Sequence, residues 1–276
     1  MQILINGLKT NRAFAVSSFF VLLLIAVALV APLIAPYDPL EAVMQNAYLP
    51  PSAEHLFGTD KLGRDNFSRI LYGASYSLLS VLLLVTIIFA VGTTLGVLAG
   101  YYGGKVDIVI MRISDMMISF PGMILAIAVA GILGGSLINA IIALTIVTWT
   151  KYARLARSMV LKIKKRDFVE AAIVNGGTST HILWKHILPN ILPLMVITAA
   201  SDIGAMMMEL AGLSFLGFGS QPPAPEWGLM LNEGRQQLQT APWLMIFPGL
   251  AIFVTVVIFN LWGDALRDVL DPRQEE

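Results

Sequence analysis

Apolar residues in this chain fall into long runs bounded by clusters of charge and glycine. No charge occurs between Arg12 and Asp38, and Phe14–Ala35 forms one run of membrane-spanning length. Crossing about 30 Å of hydrocarbon takes about 20 apolar residues in a helix. The stretch is longer than the apolar region of a cleaved leader and reads as a span. A second uncharged run between Arg69 and Lys105 predicts a span over Tyr76–Tyr101. The apolar stretch from Met116 to Thr150 is too long for one helix, and Gly131, Gly134 and Gly135 divide it, giving spans over Ile108–Leu133 and Leu137–Arg157. Asn190–Leu213, following Pro189, and Trp243–Gly263 complete a predicted set of six.

Composition restricts the class further. Hydrophobic residues make up 57% of the 276 and charged residues only 13%, with mean hydropathy +0.76. A soluble domain carries about 25% charged residues, so this chain lacks the means to build an ordinary aqueous surface. Disorder is excluded on the same ground. The absence of cysteine removes disulfides, thiolate nucleophiles and cysteine metal sites. Zero formal net charge argues against nucleic acid as a partner. What remains is a multi-pass membrane protein embedded in lipid.

Basic residues orient it. With the N-terminus inside, the inner segments hold Lys9, Arg12, Lys105, Arg112, Lys151, Arg154, Arg157, Lys162, Lys164, Lys165, Arg166, Lys185, Arg267 and Arg273, and the outer ones hold Lys61, Arg64, Arg69 and Arg235. Both termini are therefore expected in the cytoplasm. The chain divides into residues 1–75 (N-terminal tail, first span and outer loop), 76–265 (the helical core) and 266–276 (an inner tail). A second long outer segment, 217–242, complements the first at 36–75. No internal repeat or separate water-soluble domain is visible.

The inner loop at about 151–189 is the most informative segment. Arg154, Arg157 and the basic cluster Lys162–Arg166 precede Asp167-Phe168-Val169-Glu170-Ala171-Ala172. Gly176-Gly177 follow, then Thr178-Ser179-Thr180-His181 and His186-Ile187-Leu188-Pro189-Asn190. This reads as helix, glycine turn, second helix capped by Thr178 or Ser179, and a proline stop at Pro189. From composition alone, a headgroup anchor or a solvated positive loop is favoured over a functional reading.

The ordered part says more. Glu170-Ala171-Ala172, Gly176, His186 and Leu188-Pro189 at these spacings resemble the EAA loop of ABC importer permeases, and the His-Ile-Leu-Pro-Asn ending is similar to the peptide and nickel branch. The segments Phe57–Asp60 with Gly63-Arg64-Asp65 and Ser68-Arg69, Leu213–Gly219 leading to Pro225-Glu226-Trp227-Gly228, and Asn260–Pro272 resemble the C-type subunit of that branch. The resemblance implies an all-α type I importer permease in a bacterial inner membrane. It also implies a coupling helix that docks on a cytoplasmic ATPase through Phe168, Glu170, Ala171, Ala172, Gly176, Gly177, Leu188 and Pro189. The implied partners are a second homologous permease, two ATPase subunits carrying ATP and Mg, and an external binding protein. The cargo would be di- or oligopeptides or nickel, and Asp202-Ile203-Gly204, Met206-Met207 and Arg235-Gln236 lean toward nickel.

This chain has no phosphate-binding loop of its own. Gly104-Lys105 lacks both the upstream glycine, where Ala99 stands, and the following hydroxyl. It is therefore not expected to be an enzyme or to bind a cofactor. Gly92, Gly96 and Gly100 share a helix face and predict a close helix crossing, within the chain or with a partner permease. Asp202 and Glu209 lie seven residues apart on one face of the fifth span, with Met206 between them. Asp202, Met206 and Glu209 are candidates for the translocation pathway, because a carboxylate in hydrocarbon needs a partner or a cavity; a helix–helix hydrogen bond for Asp202 and an outer-interface position for Glu209 fit the pattern equally well. Met206–Met208 are expected to be packing fillers rather than thioether ligands. Arg112 and Asp115 predict a local ion pair, and Pro121 a kink. Asp60, Arg64, Asp65, Glu226 and Trp227 are outer docking or gate candidates, or else turn and capping residues. His55 on the outside is separated by the membrane from His181 and His186. A proton-coupled transporter built on Asp202 and Glu209 is the alternative. An intramembrane aspartyl protease lacks a second acid on a facing span.

Overall fold

The computed structural model describes residues 7–8 and 11–270, and every described element is helical. Lys9, Asp271, Pro272 and Arg273, singled out above, lie outside the described residues. Helix α1 spans Arg12–Ile34 and starts where the Asn11 side chain accepts from Phe14 N at 3.0 Å. Helix α2, Asn66–Tyr102, begins ten residues before the predicted span. Asp65 caps it, accepting from Ser68 N at 2.8 Å, and Arg69 in its first turns is hidden by ion pairing. Its 37 residues reach about 55 Å, so the helix projects well beyond the bilayer. Gly103, at φ +66°, ends it.

The predicted third span does not form one helix. Helices α3 (Gly104–Ile118) and α4 (Gly122–Leu133) meet at 95°. Pro121 supplies no N–H and disfavours helical geometry in the residue before it, so the expected kink is a full break. Helix α3 carries Lys105, Asp107, Arg112 and Asp115. The twelve residues of α4 extend only about 18 Å. Helix α5, Leu137–Ile163, opens with Ser136 accepting from Asn139 N and runs beyond the predicted end at Arg157.

The inner loop then forms α6 (Asp167–Val174), a short turn of helix at Ser179–Ile182 and a π-helical turn at Leu183–Ile187. The last merges into α7, Leu188–Phe215. Pro189 was expected to stop a helix, yet the helical run is continuous from Ser179 to Phe215. In the first turn of α7 a missing N–H is tolerated, and the π turn absorbs the local misfit. Asn190 Nδ2 donates to the His186 carbonyl at 2.6 Å. Outside, α8 covers Trp227–Gly234, and α9, Trp243–Leu270, returns inward.

Four helical runs are long and apolar enough to cross a membrane: α1, α2, Ser179–Phe215 and α9. The bent α3–α4 pair makes a fifth. The predicted fourth span, α5, has the length, but its inner half carries Lys151, Arg154, Arg157 and Lys162. The core seam joins α2 to α5. Gly96 faces the Ala153 backbone, and a Cβ there would stand 2.8 Å from Ala153 Cα and 2.8 Å from the Ala156 methyl. Gly92 abuts Tyr152 and Trp149, and Gly100 abuts Val160. The glycine stripe is thus consumed inside the chain. On the other side α7 packs on α9, where Gly263 lets the Ser201 backbone approach.

Candidate functional site

Three constellations stand out, an apolar elbow on the inner side and two polar clusters, one within the bundle and one on the outer side. The inner one is the elbow formed by α6 and the turn after it. Val169, Ile182 and Ile187 are buried and tie it to the bundle. Gly176, at φ +76°, makes the turn with open space around it. Gly177 sits so close to the Ala172 carbonyl, whose oxygen accepts from its N–H at 3.0 Å, that a Cβ would collide with it. Thr178 rather than Ser179 is the cap, its Oγ1 accepting from His181 N. The opposite surface is exposed and apolar, with Phe168, Ile173, Val174 and Trp184 facing outward and Glu170 and Ala171 beside them. Ala172 and Leu188 are half-buried, and Pro189 is exposed. The ring of His186 lies 6.2 Å from that of Phe168 and 5.7 Å from that of His181.

Within the bundle, α5 presents its cations to acids on α3 and α7. Lys151 Nζ donates to both carboxylate oxygens of Asp202, at 2.7 and 2.8 Å, and the Tyr152 hydroxyl donates to Oδ2 at 3.0 Å. Arg154 donates to Ser114 Oγ at 3.1 Å and Asp115 Oδ1 at 2.6 Å, and Arg157 holds Asp107 with both Nε and Nη2. Asp115 therefore pairs with Arg154 across helices, not with Arg112 as its spacing suggested. A fixed cross-helix partner outcompetes an exposed neighbour on the same helix, because the arginine gains a second bond to Ser114. Glu209, two turns outward from Asp202, is half-buried and within electrostatic reach of Asp202 and Lys151. Met206 and Met207 are buried in the core, and Met208 is exposed.

On the outer side, the segments before α2 and around α8 interlock. Arg64 Nε donates to Asp60 Oδ2 at 2.6 Å, Arg64 Nη2 reaches Glu233 at 3.3 Å, and Arg69 Nη2 donates to Glu233 Oε2 at 2.8 Å. His55 Nδ1 lies 3.0 Å from Asp65 Oδ1. Both carboxylate oxygens of Glu226 cap α8, accepting from Gly228 N at 2.8 Å and Leu229 N at 2.9 Å. Burial pushes the Glu226 carboxyl up from the ordinary range, and these N–H donors pull it part of the way back. Trp227 Nε1 donates to the Ile70 carbonyl at 3.0 Å. Asp60, Arg64, Asp65, Glu226 and Trp227 are all at most 5% exposed. They shape the outer surface from beneath it.

Sequence reasoning missed Lys151 as the partner of Asp202 and Glu233 as the hub of the outer cluster. The stripe Lys151, Arg154 and Arg157, at three-residue spacing, was the available signal for the first. Nothing local marked Glu233, which meets residues about 165 positions away.

Comparison with known proteins agrees with this layout. Residues 92–276 match the family "binding-protein-dependent transport system inner membrane component", and residues 1–51 match the N-terminal transmembrane domain of oligopeptide transport permease C. A dipeptide transport system permease, DppC, from Alkalihalophilus pseudofirmus is 45% identical over 97% of this chain and 88% of the relative. A glutathione transport system permease, GsiD, from Pectobacterium atrosepticum is 47% identical over 93% of this chain and 86% of its own length. A probable D,D-dipeptide permease, DdpC, from Escherichia coli is 42% identical over 96% and 89%. Among solved structures, one of inward-facing conformations of the MetNI methionine ABC transporter superposes with TM-score 0.59 at 22% identity. It covers 74% of this chain and 97% of that chain, a likeness of fold. These relatives support neither the lean toward nickel nor a proton-driven carrier, whose key carboxylate Asp202 is in any case ion-paired. With its exposed inner elbow and charged helix seams, the chain belongs to the binding-protein-dependent transport family and is the permease subunit of a bacterial ABC importer, set in the inner membrane by several helices.

Proposed function

We propose that this chain forms one half of a pathway for short peptides, the other half being a second, homologous permease. The cargo class rests on relatives named for dipeptides, D,D-dipeptides and glutathione. ATP-driven closure of two cytoplasmic ATPases moves the α6 elbow, and the bundle reorients to admit peptide released by an external binding protein. The permease lowers no chemical barrier. It converts the motion of a neighbour into access.

The observation carrying this reading is the elbow: a hairpin anchored by Val169, Ile182 and Ile187 that leaves Phe168, Ile173, Val174 and Trp184 open to the cytoplasm. Four large apolar side chains on so small a projection mark a surface built for a protein partner. In the proposed complex Phe168 fills a groove on the ATPase, Glu170 makes a polar contact at its rim, and Ala171 and Ala172 permit close approach. Gly176 and Gly177 set the angle of the elbow, and Leu188 and Pro189 join it to α7.

The test is uptake of labelled dipeptide into proteoliposomes holding this chain, its partner permease, both ATPases and the binding protein. Uptake is expected only with ATP inside the compartment that bears the ATPases. ATP-independent accumulation, or assembly of the complex without contact at residues 168–174, would refute the proposal.

A further inference from the structure

Lys151 occupies an unusual position for a cation in a spanning bundle. The sequence places it at the start of the inner loop, but α5 continues to Ile163, and Lys151 lies in the middle of that helix, about 21 Å from its outer end. An ammonium has three donors. Two are used on Asp202 Oδ1 and Oδ2, and among the described residues the third has no partner. The side chain is 56% exposed, whereas that of Asp202 is 13% exposed. Asp202 is held from behind by the Tyr152 hydroxyl, so the pair is fixed and Lys151 is its accessible end.

A charge at membrane depth faces a bundle interior or an aqueous cavity rather than lipid. The residues around this one fit a cavity. A broken line of polar groups continues inward through Arg154 and Asp115, both partly exposed, and outward to Glu209. Helices meeting in lipid use small residues for close approach, and the glycine stripe of α2 is already spent within the chain. This charged line is unlike such a seam.

We infer that Lys151, steadied by Asp202, receives the terminal carboxylate of a zwitterionic short peptide during passage, while Glu209 receives its ammonium group. The dimensions agree. Glu209 lies seven residues beyond Asp202 on the same face, about 10 Å along the axis. The charged ends of an extended di- or tripeptide lie about 7 to 10 Å apart. The signs agree as well: the pair Lys151–Asp202 is neutral overall with its positive end outward, and Glu209 is a carboxylate without an ion pair among the described residues. No bond is made or broken. The site offers compensation to charges that would otherwise cross low dielectric unpaired. The inference rests on the peptide-import reading.

The absence of cysteine in this chain makes Lys151→Cys a unique thiol within it. In the complete reconstituted importer, uptake of a free dipeptide and of its C-terminal amide would be compared, each at saturating concentration. The binding protein contributes the same factor to both variants, so a change in the free-to-amide rate ratio belongs to this chain. Lys151→Cys should lower the ratio about tenfold, the value of one lost charge-assisted hydrogen bond. Aminoethylation of the thiol, which restores an ammonium, should recover it, and sulfonatoethylation should not. A merely structural role would lower both rates together and leave the ratio unchanged, which would overturn the inference. Should Lys151→Cys abolish both rates, labelling decides. Free dipeptide under turnover should slow reaction of the thiol with a hydrophilic methanethiosulfonate. A thiol that never reacts from water, or that reacts without protection, would equally overturn it. Failure of the unmodified importer to move either peptide would instead refute peptide import itself.

Discussion

Two helical glycines, Gly96 in the seam between α2 and α5 and Gly131 in α4, offer a test in which the sign of the effect changes with position. At Gly96 a methyl group would meet the Ala153 carbonyl, Ala153 Cα at 2.8 Å and the Ala156 methyl at 2.8 Å. Backbone cannot rotate aside, so the two helices must separate. Overpacking of this kind costs about 1–3 kcal/mol. Replacing a helical glycine by alanine returns about 0.5–1 kcal/mol of backbone entropy. The net for Gly96→Ala is therefore a loss of up to about 2.5 kcal/mol, and Gly96→Val should cost more. At Gly131, within α4, the first neighbour of an added methyl is Phe218 Cε1 at 3.6 Å, an ordinary contact. Gly131→Ala should be neutral or stabilising by up to about 1 kcal/mol. Thermal denaturation of the detergent-solubilised importer, followed by the gel-filtration peak of the intact complex, measures both. If Gly96→Ala proved no less stable than the parent while Gly131→Ala proved destabilised, the proposed close crossing would be wrong.

Other expectations follow from the two surfaces. Glu170→Lys should leave insertion intact and abolish ATP-driven uptake, measured in the same proteoliposomes, and normal uptake would speak against the elbow. Gly176→Val should give the same loss through backbone strain of about 1–2 kcal/mol at φ +76°, since no neighbour obstructs the side chain. Glu233→Gln leaves Arg64 and Arg69 to share Asp60 alone, one buried positive charge in excess, costs up to about 3–5 kcal/mol, and should expose residues 35–65 to limited proteolysis. Burial raises the Glu226 carboxyl above its unfolded range. Its contribution is therefore complete at pH below about 4.3 and declines as pH rises through the raised folded value. Glu226→Gln cannot ionise and should lack that decline, so the gap between the two melting curves should change as pH rises from about 4.3 to the raised folded value and level off above it.

The run lengths of apolar residues were sufficient to place α1, α2, α7 and α9, because lipid demands about 20 apolar residues per crossing and the chain has few other ways to use them. Positive charge set the orientation, and the fixed spacing of Glu170, Gly176 and Pro189 marked the elbow. The ends of elements were less legible. Arg69 looks like a boundary in sequence and is buried in α2, because Asp60 and Glu233 neutralise it. Pro189 looks like a stop and lies inside a continuous helical run, because a π turn accommodates it.

What the sequence determined alone is therefore local and one-dimensional: which segments enter lipid, which side their ends face, and where an ordered inner hairpin lies. Pairing was decided by tertiary structure. Hydropathy assigns a cost to a charge such as Lys151, Asp115 or Glu233 but cannot say which distant residue will cancel it. That choice arises only when α5 is laid against α3 and α7, and when the loop before α2 is folded against α8. Coulombic compensation depends on separation in space, and residues about fifty or a hundred and sixty positions apart acquire that separation only in the folded bundle.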